Sequence, residues 1–200
     1  MKKKIIIYLF MILSMFLIVG CNKNNEVIPN NDEIVENNNE EKTEVTNNSL
    51  VLYFSATGTT KSIAERIAQE SNSDIIEIIP SVEYTTEDLN YNTDCRANDE
   101  QKDNDARPEI KNEININEYD IIYLGYPIWW GTNPKIILTL LDTYDFSNKT
   151  IIPFCTSGSS GISTSVNDLR NYNNKLTIKD GKRFSISDSD EVIKDFIKEN

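Results

Sequence analysis

Histidine is absent from the 200-residue chain. That excludes the commonest general base, the Ser-His-Asp and Cys-His arrangements, and every His-containing metal site. Cysteine is scarce: Cys21, Cys95 and Cys155 are widely spaced and form no CxxC pair, which argues against zinc. Positive charge is in deficit, with 20 Lys and Arg against 32 Asp and Glu and a formal net charge of −12. So acidic a surface repels nucleic acid and anionic lipid headgroups, leaving a basic or neutral partner, or simple solubility, as its meaning. Apolar residues make up 38% of the chain, and the longest apolar run lies within its first twenty positions. No side chain stands out as a catalytic acid, base or nucleophile, and no metal is expected.

What is present begins with an export pattern. Lys2, Lys3 and Lys4 form a charged segment, and Ile5 to Val19 an apolar one interrupted only by Tyr8 and Ser14. That run is short of the ~18–20 residues a membrane-spanning helix needs, and it ends in small residues before a cysteine, as a cleavable signal does. Ile18-Val19-Gly20-Cys21 resembles the bacterial lipobox. The resemblance implies that residues 1–20 are removed and that Cys21 is diacylated on its sulfur, anchoring an exported protein to the outer face of the cell membrane. The alternative is an uncleaved signal anchor with an ordinary cysteine. Residues 21–48 are rich in Asn and Glu, with isolated apolar positions and no sustained period. Such a stretch buries too little surface to offset its chain entropy and reads as a disordered linker.

Residues 49–200 read as one domain. Ser49 to Phe54, Asp74 to Ile79, Tyr119 to Gly125 and Lys149 to Cys155 are strand patterns, with Lys182 to Ser185 a short fifth. Between them lie helical patterns over Thr60 to Ser71, Asn133 to Thr143 and Ile162 to Tyr172, and a closing one over Asp188 to Lys198 that Asp188 or Ser189 would cap. Apolar strands alternating with helices imply an α/β fold with a parallel sheet covered on both faces. Ligands of such folds bind beyond the carboxyl ends of the strands, where strand order reverses. Pro80 to Asn117 is long for a connection and reads as an insertion, with a helical turn at EDLNY and an extended run at ARPEI.

The loops after the first, third and fourth of these strands are unusual. Ser55-Ala56-Thr57-Gly58-Thr59-Thr60 opens a helix with hydroxyls, a glycine and no cation. Helix N-termini attract phosphate through unpaired N–H groups and the helix dipole. The GxxxxGK[ST] and GxGxxG patterns both fail, so a lone monophosphate on neutral donors fits better than a triphosphate; a plain strand-to-helix turn fits equally well. Pro127-Ile128-Trp129-Trp130-Gly131 places both tryptophans of the chain where a strand leaves the sheet. They suit stacking on a flat ring, or covering the sheet edge, and one indole packing inward would leave the other for a ligand. Thr156-Ser157-Gly158-Ser159-Ser160-Gly161 offers polar donors for a heterocycle edge, or is a flexible turn.

Together the three loops describe a phosphate clasp, a stacking surface and a polar edge, a set that suits flavin mononucleotide (FMN). The segments LVLYFSATGTTKSIAERIA, YDIIYLGYPIWWGTNP and IIPFCTSGSSGI also resemble the flavodoxin family, and DCRANDEQKDNDARPEI resembles the insertion of a branch with paired tryptophans. The resemblance implies a flavodoxin-like three-layer sandwich with a five-stranded parallel sheet in order 2-1-3-4-5, and FMN as cofactor. It implies that Ser55, Ala56, Thr57, Gly58, Thr59 and Thr60 wrap the phosphate. Pro127, Ile128, Trp129, Trp130 and Gly131 would lie along the isoalloxazine, as would Thr156, Ser157, Gly158, Ser160 and Gly161. A backbone group near Trp130-Gly131 would meet flavin N5, and the acidic chain would lower the flavin's potential. The insertion has no assigned place beside the flavin.

Two activities fit. One is an electron carrier between membrane-associated redox partners, its partner being a redox protein or a small-molecule acceptor, with the membrane met through the lipid anchor only; the other is an FMN-dependent NAD(P)H:quinone-type oxidoreductase. A third reading, from another class, is a ligand-binding lipoprotein that has lost flavin. The lysines before the apolar run include no twin-arginine pair, so export proceeds unfolded and FMN is acquired outside. In that compartment Cys95 and Cys155 either pair or, as favoured here, stay free thiols.

Overall fold

The computed structural model describes residues 48–200. The export segment, Cys21 and nearly all of the Asn/Glu-rich linker lie outside the described residues. The elements are β1 (Ser49–Tyr53), α1 (Thr59–Ser71), β2 (Asp74–Glu77), α2 (Arg96–Lys102), β3 (Ile121–Pro127) and α3 (Lys135–Thr143). They continue with β4 (Thr150–Thr156), α4 (Ser163–Tyr172), β5 (Thr177–Ile178), β6 (Lys182–Phe184) and α5 (Asp190–Lys198).

All strand pairings are parallel, as the alternation of strands and helices predicts, and their order, β2-β1-β3-β4-β5, is the one that the family resemblance implies. Successive side chains of a strand point to opposite faces, and β1 divides accordingly. Val51 and Tyr53 join Ile63 and Ile67 of α1 and Ile193 and Phe196 of α5 on one face. Leu50 and Leu52 join Ile136 and Leu140 of α3 and Val166 and Leu169 of α4 on the other. Each fully buried side chain of this kind contributes about 1.5–3 kcal/mol relative to exposure, so both faces need helices and three layers result.

The fifth position of the sheet is shared. β5 pairs with the start of β4 (Ile151↔Ile178), and β6 with its end (Cys155↔Arg183). Between them Gly181 has φ +73°, and a Cβ there would meet the Pro153 carbonyl oxygen at 2.4 Å. The chain therefore turns tightly against β4 at a point that only glycine accommodates, and the edge strand breaks there. β2, at the opposite edge, is less covered than a doubly packed strand should be: Ile75 is 40% exposed. The insertion holds a two-turn helix, α2, where the sequence pattern gives only a turn and an extended run. Those two features are present as a turn over 86–89 and an isolated Pro80↔Ile110 bridge.

The register Tyr53↔Gly125 and Gly125↔Phe154 aligns the carboxyl ends of β1, β3 and β4. Gly125 lets the Phe154 ring lie over its backbone, since an added Cβ would lie 2.2 Å from the ring. The three unusual loops thus leave the same end of the sheet. Among the described residues no helix is long and apolar enough to cross a membrane.

Candidate functional site

The loop after β1 turns into α1 at Gly58, whose φ of +86° is left-handed. No side chain caps α1 and no acid lies in its first turn, so its leading N–H groups face the loop with neither an internal partner nor a repelling charge. Gly58 N donates to Ser55 Oγ at 3.1 Å, and the Thr57 and Thr59 hydroxyls lie 3.5 Å apart. Thr57 and Gly58 are exposed, while Thr60 is buried. Thr60 points inward, its Oγ1 at 2.8 Å from Thr156 Oγ1, which ties the first loop to the end of β4.

The loop after β3 closes on itself. Trp129 N donates to Thr132 O at 2.9 Å and Thr132 N to Trp129 O at 3.0 Å. Between them Trp130 (φ +50°) and Gly131 (φ +85°) both take left-handed conformations, the signature of a type I′ turn. A bulky residue in that region costs about 1–2 kcal/mol, so the turn must be held from outside. Gln101 of α2 does so by donating from Nε2 to Trp129 O at 3.2 Å and Asn133 O at 3.3 Å. Thr132 Oγ1 donates to Asp168 of α4 at 2.6 Å, and Ile128 N to Thr156 O at 2.9 Å. The two indoles then divide. Trp129 packs edge-on against Phe54 and Tyr84, whereas Trp130 remains 48% exposed.

Between these loops lies a cavity of about 380 Å³, walled by Ala56, Thr57 and Thr60 from the first and Pro127, Ile128, Trp129 and Trp130 from the second. Leu89, Tyr91 and Ala97 complete the wall. All three come from the insertion, which the sequence left without a place. Only the isolated apolar residues of an otherwise polar stretch hinted at it. A second, more polar groove of about 610 Å³ adjoins over the insertion and shares Ala56, Thr57, Leu89 and Tyr91.

The loop after β4 stands beside the cavity rather than in its wall. Thr156 is buried against Thr60, and residues 157–161 do not line the cavity. Ser157 Oγ donates to Ser160 O, Arg183 Nη1 donates to Ser157 O at 3.1 Å, and Gly158, Ser160 and Gly161 are exposed beside the mouth.

Burial raises three ionisable groups near the site. Burial pushes the Cys155 thiol up to about 12, and it raises the Tyr126 phenol, whose oxygen accepts from Ser165 Oγ at 2.7 Å. Burial and the Glu100 carboxylate raise the Tyr84 phenol. Cys95 and Cys155 are both free and buried. Among the described residues no cluster of Cys, Asp and Glu is arranged to hold a metal ion.

The flavodoxin family model matches residues 48–200. A solved structure described as a candidate flavoprotein from Bacteroides uniformis is 39% identical, with a TM-score of 0.73 over 75% of this chain and 97% of its own. A second, from Bacteroides eggerthii, is 37% identical with a TM-score of 0.72, over 75% of this chain and 95% of its own. A flavoprotein from Lactobacillus acidophilus, solved in complex with FMN, is 31% identical with a TM-score of 0.58, covering 68% of this chain and 93% of its own. No curated protein matches. The chain belongs to the flavodoxin family.

Proposed function

We propose that this member of the flavodoxin family binds FMN and passes electrons at the outer face of the membrane to which Cys21 tethers it. The observation that carries the reading is the meeting, at one mouth, of an uncapped helix N-terminus and an apolar cavity. The α1 N-terminus offers N–H groups and hydroxyls without a cation or an acid, which suits a monophosphate. The adjoining cavity is mostly apolar and edged by the exposed Trp130, which suits a flat ring system. FMN joins those two chemistries in one molecule, and a 31%-identical relative is solved with it.

In this reading the hydroxyls of Ser55, Thr57 and Thr59 and the N–H groups of Thr59 and Thr60 hold the phosphate, with Gly58 shaping the turn between them. Pro127, Ile128, Trp129 and Trp130 line the ring's wall, with Leu89 and Tyr91 opposite. Thr156 and residues 157–161 border the ring's outer edge. Bound FMN supplies one- and two-electron redox chemistry. The chain's part is to hold it, fix the Trp130-Gly131 backbone beside it, and exclude water with apolar walls. None of these tasks needs an acid or base, in keeping with a chain that lacks histidine.

A second reading, an FMN-dependent NAD(P)H:quinone-type oxidoreductase, is favoured by the adjoining 610 Å³ groove, which leaves room for another ligand. Titration of the apoprotein with FMN, and with riboflavin in parallel, tests the first. FMN should bind stoichiometrically with a resolved flavin spectrum, and riboflavin more weakly for want of the phosphate. No spectral change with FMN would overturn the reading and favour a lipoprotein that has lost flavin. NAD(P)H turnover by the loaded protein would favour the reductase.

A further inference from the structure

Three aromatic rings lead from the cavity mouth into the insertion. Trp130, half exposed, has its ring centroid 6.4 Å from that of Trp129, and Trp129 lies 5.1 Å from Tyr84. Both contacts are edge-to-face, so the rings touch with no saturated side chain between them. The series ends on a proton acceptor: Tyr84 Oη donates to Glu100 Oε2 at 2.5 Å. Arg96 closes the group, its guanidinium 4.1 Å above the Tyr84 ring and its Nε 2.7 Å from Glu100 Oε1. Asp88 is the other acid facing this phenol.

A partly buried phenol needs a hydrogen-bond acceptor, and a backbone carbonyl would serve. A carboxylate does more, because it can take the proton. Indoles and phenols are the side chains that most readily give up one electron, and a phenol does so readily only when its proton leaves at the same time. Direct ring contact keeps electronic coupling between neighbours strong.

We propose that Trp130, Trp129 and Tyr84 form a one-electron relay that carries an oxidising equivalent from the cavity mouth to Tyr84, with Glu100 accepting the phenol proton. A one-electron oxidant at the mouth takes an electron from Trp130. Trp129 replaces it and is refilled by Tyr84. The Tyr84 O–H bond breaks as an O–H bond forms on Glu100. The oxidant has gained one electron, Tyr84 has lost one electron and one proton, Glu100 has gained that proton, and both indoles are restored. Arg96 couples the two transfers: a cation over the ring disfavours a positively charged phenol, so the electron leaves only with the proton. The same guanidinium holds Glu100 by Oε1 and leaves Oε2 to the phenol. Asp88, a second negative charge nearby, favours the electron's departure. Burial and the Glu100 carboxylate raise the phenol, so it still carries its proton at neutral pH until oxidation removes it. The effect is to draw a damaging hole away from the exposed indole to a sheltered, reversible site.

The natural oxidant, a photoexcited flavin or a strongly oxidising radical at the mouth, rests on the FMN reading; the relay itself does not. The test therefore uses the full chain without flavin, oxidised by a photogenerated ruthenium(III) polypyridyl and followed by transient absorption and electron paramagnetic resonance. A tryptophan radical should appear first and decay into a neutral tyrosyl radical, more slowly in D2O. Tyr84→Phe keeps the ring but lacks the proton, and should leave a long-lived tryptophan radical with no tyrosyl signal. Glu100→Gln should slow the handover and weaken its isotope effect, and Trp129→Phe should abolish it. Tyr172→Phe removes an exposed phenol outside the cavity and should change nothing. An unaltered tyrosyl yield in Tyr84→Phe, or the same tryptophan radical lifetime in that variant and the parent, would overturn the relay. Flavin binding without the tyrosyl radical refutes the relay alone, and the radical without flavin binding refutes the FMN reading alone.

Discussion

Replacing Thr60 by Val should destabilise the fold by about 1–3 kcal/mol, the cost of stranding a buried hydroxyl without its partner. Thr60 is 1% exposed and Thr156 5%, and each hydroxyl is the other's hydrogen-bond partner at 2.8 Å. Thr156→Val should cost a similar amount for the same reason. The double variant should not cost the sum. With both hydroxyls replaced by methyls of the same shape, nothing polar is stranded and the penalty should fall to well under that of either single change. The coupling between the two sites is then of the order of 2 kcal/mol, within the range seen for contacting residues. Urea unfolding of the four proteins measures it. For a domain of this size a 2 kcal/mol loss also lowers Tm by roughly 4–8 °C. If the two single penalties simply add in the double variant, the hydroxyls do not depend on each other, and the bond joining the first loop to β4 is not part of what shapes the mouth.

Gly125→Ala should cost about 1–3 kcal/mol, because its Cβ would fall within 2.2 Å of the Phe154 ring; Phe154→Leu in the same chain should recover most of that, read by urea unfolding. Gln101→Leu should release the Trp129 and Asn133 carbonyls, shift the tryptophan fluorescence and weaken FMN binding, while costing only about 1 kcal/mol of stability; unchanged fluorescence and affinity would show that the turn holds itself. For Cys155 the thiol is raised by burial from its ordinary 9.0 to about 12, so the folded chain keeps a proton that the unfolded chain loses. That contribution to stability is complete below pH 9.0 and is lost as pH rises toward 12, with Cys155→Ala removing this part of the alkaline slope. In the native protein at pH 8 iodoacetamide should leave Cys155 unmodified until denaturant is added.

The parallel, doubly covered sheet was legible because its strands carry their own evidence, whereas their order came only with the family resemblance. Apolar residues run without alternation through β1, β3 and β4, as a strand buried on both faces requires, and the helices between them show one apolar side each. The break between β5 and β6 was not legible. It depends on how closely Gly181 approaches the Pro153 carbonyl, a contact between segments far apart in the chain. Helix α2 was missed for a related reason. RANDEQK has only Ala97 and Asn98 buried and no apolar stripe, so the helix is fixed by contacts that its own pattern does not announce, such as Gln101 on the tryptophan turn.

The site divides the same way. By themselves the residue types put hydroxyls, a glycine and no cation before α1, and two indoles after β3, because loop chemistry is local and the order of strands places both loops at one end. Only the tertiary structure decided which indole faces outward. That follows from Phe54 and Tyr84 enclosing Trp129, and from a left-handed turn at Trp130 held by Gln101 and Asp168. Only the tertiary structure, too, brought Leu89, Tyr91 and Ala97 to the cavity wall and kept residues 157–161 off it. A sequence shows what a loop can offer. Which groups share a cavity is set by packing between segments whose separation along the chain carries no record of it.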